Sequence, residues 1–280
     1  MNTLLQCAAR TLDLSAPVVM GVLNVTPDSF SDGGRFLDTD VMLRRVADML
    51  AEGASLIDVG GESTRPGADP VSIQQELDRV IPAVEAIHSE FDTIISLDTS
   101  TPEVIRAGAA VGAGFINDVR ALQREGALQA AADTGLPICL MHMQGEPATM
   151  QGAPSYDDVT AEVQAFFAER LIACRFAGIE ENRIVLDPGF GFGKTDAQNV
   201  ELLAALPSMM ALGLPLLVGL SRKSMIGRLL GREVEDRMVG SVALALMAME
   251  RGASIVRAHD VAQTMDALRL FCAVNKRTTV

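Results

Sequence analysis

The sequence has only four cysteines and three histidines among its 280 residues. It contains no Cys-x-x-Cys pair and no His-Glu-x-x-His motif, so nothing in it predicts a zinc site or a redox pair. Any metal is therefore expected to be a hard, oxygen-ligated ion such as Mg²⁺. We expect the four cysteines to be buried thiols in a reducing cytoplasm, and they are Cys7, Cys139, Cys174 and Cys272.

Positive charge and long apolar runs are also scarce. The chain has 23 Lys+Arg against 36 Asp+Glu, a net charge of −13, which argues against nonspecific nucleic-acid binding and against anionic membrane surfaces. An anionic substrate must therefore be held by a local group of basic side chains. The longest apolar run, residues 238–249, is shorter than the about 20 residues that span a bilayer. No basic leader precedes the first apolar run, so we expect no signal peptide.

Short aliphatic runs alternate eight times with longer segments, several of them of helical periodicity, and no low-complexity tract or linker separates them. Eight βα repeats in one domain over residues 1–280 indicate an α/β (β/α)8 TIM barrel, with a doubly wound open sheet as the alternative. The first fifteen residues predict a small hairpin. The predicted strands cover residues 18–23, 56–59, 94–97, 115–116, 137–141, 184–186, 215–218 and 254–256. Predicted helices include residues 41–51, 73–88, 157–177, 199–212, 236–251 and 262–274.

The most informative stretch is residues 187–195, Asp-Pro-Gly-Phe-Gly-Phe-Gly-Lys-Thr, directly after the apolar run 184–186. A buried strand that ends in Asp187 delivers a carboxylate to the edge where ligands bind in α/β proteins. The stretch is not a P-loop, because Pro188 stands where a glycine is required, and not a dinucleotide fingerprint, because Lys194 replaces a glycine. We interpret its glycines as turn residues that let the backbone approach a ligand. An ordinary strand-to-helix turn would explain the glycines but not the carboxylate.

Polar side chains lie at or directly after nearly every predicted strand. In a parallel barrel these positions converge at the C-terminal face, where such enzymes carry out their chemistry. A single aspartate could cap the following helix, but eight polar strand ends are hard to explain by capping alone. The strand-end residues are Asn24, Asp58 with Glu62, Asp98, Asn117 with Asp118, His142, Asp187, residues 221–223, and Arg257 with His259.

Three of these residues, Asp98, Asn117 and Asp187, have no cation beside them in the sequence. Carboxylates in an apolar pocket suit a neutral heterocycle with two parallel N–H donors, because a carboxylate accepts both at once. Capping or a turn would equally explain Asp98 and Asn117. Asp187 is harder to explain in that way, because Pro188 has no backbone N–H for it to cap.

Basic residues form a second group, made of Arg65, Lys223, Arg257 and His259. On a chain of negative net charge they indicate a phosphate or diphosphate site. The alternative is that these residues form surface salt bridges. Their position at strand ends makes this alternative weaker for Lys223 and Arg257 than for Arg65.

Two loops rich in glycine and proline form a third group. Residues 26–34 carry Phe30 and residues 63–69 carry Pro66, and either loop could close over a ligand or be an ordinary surface loop. No Gly-x-Ser-x-Gly motif or other nucleophile arrangement stands out, and His88 lies within a helical pattern.

Together these motifs resemble the dihydropteroate synthase family of pterin-binding TIM barrels over residues 18–275. The motifs that carry the resemblance are residues 21–33, 60–67, 140–147, 187–194 and 221–224. The resemblance implies a transferase of folate biosynthesis that condenses (7,8-dihydropterin-6-yl)methyl diphosphate with 4-aminobenzoate to give dihydropteroate and diphosphate. It also implies Mg²⁺ as cofactor, sulfonamides as mimics of the aminobenzoate, and a homodimer.

By motif position, the resemblance also implies a role for each matching residue. The pterin would be held by Asp98, Asn117, Asp187 and Lys223, flanked by Met141, with Arg257 over its face. The diphosphate would be bound by Thr64, Arg65, Arg257 and His259, next to Ala258. The aminobenzoate would be bordered by Phe30, Pro66, Phe192 and Ser224. Asn24 would bind Mg²⁺, and the catalytic residues would be Asp98, Lys223, Arg257 and His259.

Two other functions are compatible with parts of this pattern. A pterin-binding methyltransferase that passes a methyl group from methyltetrahydrofolate to a corrinoid protein would share the barrel and the pterin contacts. We would not expect it to keep Arg65, Lys223 and His259 together. A non-catalytic pterin-binding protein would be expected to lose one or more of these basic residues, or Asn24, and none is lost.

Overall fold

The computed structural model describes residues 3–26, 34–63, 70–145, 150 and 154–276. Within these ranges strands and helices alternate along the chain. The strands are β1 (Leu4–Cys7), β2 (Arg10–Asp13), β3 (Val18–Asn24), β4 (Leu56–Gly60), β5 (Ile94–Asp98), β6 (Phe115–Asp118), β7 (Ile138–Met141), β8 (Ile184–Asp187), β9 (Leu217–Val218) and β10 (Ile255–Ala258). The helices are α1 (Gly34–Glu52), α2 (Ile73–Glu90), α3 (Pro102–Ala110), α4 (Ala127–Thr134), α5 (Val159–Phe176), α6 (Asp196–Ala204), α7 (Leu206–Met209), α8 (Ser224–Leu230), α9 (Met238–Glu250) and α10 (Val261–Val274).

Strands β3 to β10 form a parallel barrel in which β3 to β8 pair in chain order. Strand β10 pairs with both β3 and β9, which joins the end of the barrel to its beginning. Between β8 and β9, a bridge from Leu186 to Leu216 and a 3.0 Å hydrogen bond from Leu186 N to Pro215 O complete the ring. The predicted TIM barrel is therefore confirmed, and the open sheet is excluded.

Successive side chains of a strand point to opposite faces, so every second residue points into the barrel. Inward-facing residues at different heights along the strands form a lower and an upper interior layer. In β4, Ile57 and Val59 pack outward against the helices, whereas Leu56 and Asp58 point into the barrel. The lower interior layer is apolar. It consists of Val18, Met20, Leu56, Ile94, Phe115, Cys139, Val185, Leu217 and Ile255.

The N-terminal hairpin of β1 and β2 covers the lower end of the barrel. Its apolar side chains Leu5, Cys7, Leu12 and Leu14 are buried in the same cluster as the lower interior layer. The predicted hairpin is thus confirmed, and the lower end of the barrel is filled by side chains. Only the upper interior layer, at the carboxyl ends of the strands, is left for polar groups.

Four of the six predicted helices agree with the structure to within a few residues, and α1 begins at Gly34 rather than at residue 41. The predicted helix over residues 199–212 is wrong, because α6 ends at Ala204 and a separate short turn, α7, follows. Pro207 lies in the first turn of α7. Since proline has no backbone N–H, it cannot bond to the carbonyl of Leu203, and a continuous helix would be broken there.

The last barrel strand is longer than predicted. It runs to Ala258, so Arg257 lies inside β10 rather than after it. Its neighbours Val256 and Ala258 pack outward, and Arg257 therefore points into the barrel. In the part of the chain that the structure describes, no helix has the length and apolarity needed to cross a membrane.

Candidate active site

The upper layer of the barrel brings the predicted strand-end residues onto adjacent strands. The parallel register places Asn24 opposite Gly60, Gly60 opposite Asp98, and Asp98 opposite Asn117. On the other side, Met141 lies opposite Asp187. The side chains expected to hold the pterin therefore share one end of the barrel, above the apolar layer.

Asp58 is the buried centre of this group. Its side chain is fully enclosed, and Oδ2 accepts hydrogen bonds from Arg257 Nε at 2.5 Å and from Asn117 Nδ2 at 3.0 Å. Oδ1 accepts from Ser96 Oγ at 2.6 Å. A buried carboxylate is stable only when its lone pairs are satisfied, and here three donors from three strands meet that need.

Arg257 is held by a second carboxylate as well. Its Nη2 donates to Asp98 Oδ2 at 2.8 Å, so two adjacent nitrogens of the guanidinium are each bound to an aspartate. Burial lowers the pKa of Arg257, but Asp58 and Asp98 outweigh this effect and raise it above its ordinary value. Burial raises the pKa of Asp98, and Arg257 opposes that rise. The guanidinium is thus permanently charged and fixed in orientation.

Asp187 ends β8 and is 5% exposed. Its Oδ1 accepts a 2.7 Å hydrogen bond from Gly189 N, one residue beyond the proline. Asp187 was expected to have no backbone N–H to cap because of Pro188, and this expectation is wrong, because the turn brings the N–H of Gly189 within reach. Burial raises the pKa of Asp187 to about 6, although the Gly189 bond and Lys223 both lower it.

Lys223 and Phe192 meet at the rim of the pocket. Lys223 Nζ lies 4.0 Å from the centroid of the Phe192 ring, the geometry of a cation–π contact. Burial lowers the pKa of Lys223 to about 8, and Asp187 opposes that effect. A Cβ on Gly191 would lie 3.2 Å from Lys223 Cδ, so glycine leaves the room that this side chain fills.

Lys194 is almost completely buried beneath the same turn, at 1% exposure. Its Nζ bonds to His142 Nδ1 and Gly189 O, both at 2.9 Å, and to Phe192 O at 3.1 Å. Burial lowers the pKa of Lys194 to about 7 and that of His142 to about 3. When Lys194 is protonated it only donates, so His142 Nδ1 then accepts and the ring proton lies on Nε2.

His259 follows β10 on the opposite side of the pocket. Its Nδ1 lies 3.0 Å from Ser221 Oγ, and its carbonyl accepts from Arg45 Nη2 at 2.9 Å. Burial and the neighbouring Arg257 lower the pKa of His259 to about 4, so the ring is neutral at pH 7. It lines a cavity of about 470 Å³ together with Arg222.

The remaining predicted site residues divide into two groups. Met141 is buried and lines a cavity of about 290 Å³, Ala258 ends β10, and Ser224 is exposed at the first turn of α8. Asn24 is half-buried at the end of β3. Thr64, Arg65, Pro66 and Phe30 lie outside the residues that the structure describes.

Several residues that organise the pocket had no role predicted from the sequence. For Ser96 and Lys194 there was no prediction, and Ser221 and Asp58 were noted only as polar residues at the end of a strand or within one. The alternation of β4 was the available indication for Asp58, since a charged residue two positions after the inward-facing Leu56 must also face the barrel interior. For Lys194, the residue after three spaced glycines, the sequence offered no comparable indication.

Comparison with known proteins agrees with this geometry. A family model described as pterin binding enzyme matches residues 20–259, and the chain belongs to that family. The dihydropteroate synthase of Escherichia coli strain K12 is 57% identical over 260 residues, which cover 93% of this chain and 92% of the relative. This similarity confirms the predicted activity, dihydropteroate synthesis, and the predicted enzyme class, a transferase of folate biosynthesis.

Solved structures of dihydropteroate synthases superpose closely on the chain. The Yersinia pestis enzyme with a sulfonamide drug gives a TM-score of 0.93 at 53% identity and covers 98% of this chain and 99% of its own. The Xanthomonas albilineans enzyme with 4-aminobenzoic acid gives a TM-score of 0.93 at 51% identity, covering 99% and 100%. The similarity extends through the barrel and the N-terminal hairpin.

Proposed function

We propose that Asp98, Asn117, Asp187, Lys223 and Arg257 bind the pterin of (7,8-dihydropterin-6-yl)methyl diphosphate during its condensation with 4-aminobenzoate. The observation that carries this assignment is the group of buried carboxylates at the upper end of the barrel, beside two cations. The 2-amino and N3–H groups of a pterin form an edge of two parallel donors. A buried carboxylate such as Asp187 binds that edge, because each of its oxygens retains an acceptor site.

The internal hydrogen bonds determine which atoms of the pocket are left for the ligand. Asn117 donates through Nδ2 to Asp58, which orients the amide and leaves its oxygen to accept from the pterin. Arg257 is held along one edge by Asp58 and Asp98, so its flat face remains available to stack on the pterin ring. Both side chains are thus pre-oriented before the substrate arrives.

The chemical step needs charge stabilisation more than an activated nucleophile. When the methylene C–O bond breaks, its electron pair leaves with diphosphate, and the electron-rich pterin delocalises the positive charge on the methylene carbon. The neutral amine of 4-aminobenzoate then forms the new C–N bond and loses a proton. We propose that Arg257 and His259, together with Thr64 and Arg65, stabilise the departing diphosphate.

The Mg²⁺ implied by the family suits only part of this site. Among the described residues, no three acidic, histidine or cysteine side chains form a group that could hold a metal. Asn24 does offer a hard amide oxygen, and Mg²⁺ is commonly bound by one or two protein oxygens together with substrate phosphates. We propose that Asn24 contacts an ion that enters with the diphosphate, where it would offset the negative charge of the leaving group.

The aminobenzoate site is proposed at the rim of the pocket, bordered by Phe192 and Ser224 and by Phe30 and Pro66 of the two long loops. Phe192 supports this position, because its ring already forms one wall beside Lys223. The Xanthomonas albilineans relative was solved with 4-aminobenzoic acid and the Yersinia pestis relative with a sulfonamide drug. A sulfonamide is therefore expected to compete at this site.

We also propose that the chain is a single domain and forms a cytoplasmic homodimer. The burial of the hairpin in the barrel core supports one domain, and four free, buried cysteines suit a reducing compartment. Exposed apolar side chains on α8, α9 and α10 support a subunit contact there. They are Leu229, Leu230, Val239, Met247, Leu270 and Val274.

Product formation by the purified protein tests the proposal directly. The chain is supplied with dihydropterin-methyl diphosphate and 4-aminobenzoate, with and without Mg²⁺ and with and without a sulfonamide. We expect dihydropteroate to form with Mg²⁺, to form no longer when Mg²⁺ is removed, and to form more slowly when the sulfonamide is added. Equal product without Mg²⁺ would overturn the role given to Asn24, and product unaffected by any sulfonamide would overturn the aminobenzoate site.

A further inference from the structure

We propose that Lys194 is a positioning residue of the pterin pocket, whose buried ammonium fixes the 189–193 turn to the end of β7. Through this turn it holds the Phe192 ring beneath Lys223 and holds Gly189 against Asp187. The inference rests on the proposed binding of the pterin by Asp187 and Lys223. Lys194 itself does not need to contact the substrate.

The ammonium of Lys194 is fully used inside the protein. Its Nζ lies within hydrogen-bond distance of four acceptors: His142 Nδ1 and Gly189 O at 2.9 Å, Phe192 O at 3.1 Å and His142 O at 3.4 Å. These acceptors are uncharged, and the nearby Asp187 carboxylate also favours the protonated form of Lys194. A buried charge is costly, and such an arrangement persists only where the surrounding groups are well ordered. The cation therefore links two separate segments, the turn after β8 and the end of β7.

The turn lies directly on the backbone at the end of β7. A Cβ at Gly189 would lie 1.8 Å from His142 O, and a Cβ at Gly193 would lie 2.3 Å from Gln144 O. Both glycines also have positive φ, +71° and +63°. These two positions therefore exclude any side chain. Lys194 holds the turn from inside, in addition to hydrogen bonds from Tyr156 Oη to Gly193 O at 2.8 Å and from Gly191 N to Asn199 Oδ1 at 2.7 Å.

Two pterin-side contacts depend on that arrangement. Gly189 N donates to Asp187 Oδ1 at 2.7 Å, and the Phe192 ring lies 4.0 Å from Lys223 Nζ. Lys194 binds the carbonyls of both Gly189 and Phe192. Loss of the ammonium frees both carbonyls and His142 Nδ1 at once, and the turn is expected to move away from the pocket.

A matched control exists at the opposite end of the barrel. Arg183, just before β8, also donates to backbone carbonyls, with Nη2 2.7 Å from Leu136 O and 3.3 Å from Ala131 O. Lys194→Met and Arg183→Met each remove a cation that binds carbonyls and keep much of the apolar stem. Only Lys194→Met affects the turn at the pterin pocket.

The experiment compares the affinity of the full-length variants for 6-hydroxymethylpterin, which reports the pterin pocket without diphosphate. We expect Lys194→Met to weaken binding by about tenfold or more, and Arg183→Met to stay within about twofold of wild type, even if both melt at lower temperature. Pterin affinity unchanged in Lys194→Met, or reduced equally in both variants, would overturn the positioning role. Asp187→Asn is run beside them. If it also binds normally, the pocket assignment fails rather than the role of Lys194.

Substitutions at His142 test the same contact if Lys194→Met does not fold. His142→Asn retains an acceptor near the position of Nδ1, whereas His142→Leu has none, and both lose the edge contact of the imidazole with Phe166. We expect His142→Asn to bind 6-hydroxymethylpterin at least about threefold more tightly than His142→Leu. Equal affinities would show that the contact between Lys194 and His142 does not position the turn.

Discussion

Asp58 Oδ2 receives two hydrogen bonds, one from Arg257 Nε at 2.5 Å and one from Asn117 Nδ2 at 3.0 Å. One oxygen atom, fully buried, thus orients two of the side chains proposed to bind the pterin. The three residues come from β4, β6 and β10. The geometry of the pocket is therefore coupled to the stability of the barrel through this carboxylate.

Asp58→Asn is expected to lower the free energy of unfolding by about 3 kcal/mol, because it leaves the partly buried Arg257 with only one of its two carboxylates. Urea denaturation followed by circular dichroism measures the change. Asp196→Asn is the control, since Asp196 pairs with the exposed Arg228 on the surface and should cost only about 0–1 kcal/mol. An equal decrease in the free energy of unfolding in the two variants would contradict the central role of Asp58.

Asp187→Asn is expected to weaken pterin binding by about 2 kcal/mol, the range for losing a charge-assisted hydrogen bond. The amide keeps the size of the side chain but replaces one acceptor oxygen with a donor, so it cannot bind both pterin donors. Isothermal titration calorimetry with 6-hydroxymethylpterin gives the difference. Asp158→Asn, at the surface cap of α5, serves as the control because asparagine also caps helices. An unchanged affinity in Asp187→Asn would remove this residue from the pterin site.

The barrel and most of its polar end were predictable from the sequence. The run 184–186 and the carboxylate after it correspond to β8, which ends at Asp187. This succeeded because the information is local: aliphatic runs predict buried parallel strands, and the residue that ends such a strand lies at the C-terminal face. The family resemblance then gave the chemistry of that face.

The partnerships inside the pocket were not predictable, because they join residues far apart in the chain. The donors to Asp58, namely Ser96, Asn117 and Arg257, are 38, 59 and 199 residues away from it. Lys194 bonds to His142 across 52 residues. Sequence patterns indicate which face a side chain occupies, but which atoms meet is decided by strand register and turn conformation. The roles of Thr64, Arg65, Pro66 and Phe30 stay predictions.

The value of kcat/KM for the pterin substrate is expected to fall at pH values below and above neutrality. Burial raises the pKa of Asp187 to about 6, so below that pH the carboxylate gains a proton and accepts fewer pterin donors. Burial lowers the pKa of Lys223 to about 8, so above that pH its charge is lost. Because kcat/KM reports ionisations of the free enzyme, both should appear in the profile. Burial also raises the pKa of Asp98, to about 7. Asp187→Asn should therefore shift the acidic limb rather than abolish it, and an acidic limb unchanged in Asp187→Asn would be assigned to Asp98.

Binding of diphosphate is expected to be accompanied by proton uptake at His259. The ring is neutral in the free protein because burial and Arg257 lower its pKa to about 4. A bound anion favours the charged ring and raises that pKa. Calorimetric titration with pyrophosphate at about pH 6, near the ordinary pKa of histidine, in two buffers of different ionisation enthalpy, measures the protons exchanged. His259→Gln should take up fewer protons than wild type, and identical exchange in both would contradict this role for His259.

The proposed homodimer predicts that a charge on the exposed apolar face of α9 separates the subunits. Val239 is 71% exposed in the single chain, and a glutamate there would be buried without a partner in a dimer formed through α8, α9 and α10. Sedimentation velocity should show Val239→Glu as a monomer at concentrations where the wild type is a dimer. Phe176→Glu is the control, because Phe176 is 90% exposed at the end of α5, outside that face. A dimer that survives Val239→Glu but not Phe176→Glu would move the interface from α9 to α5.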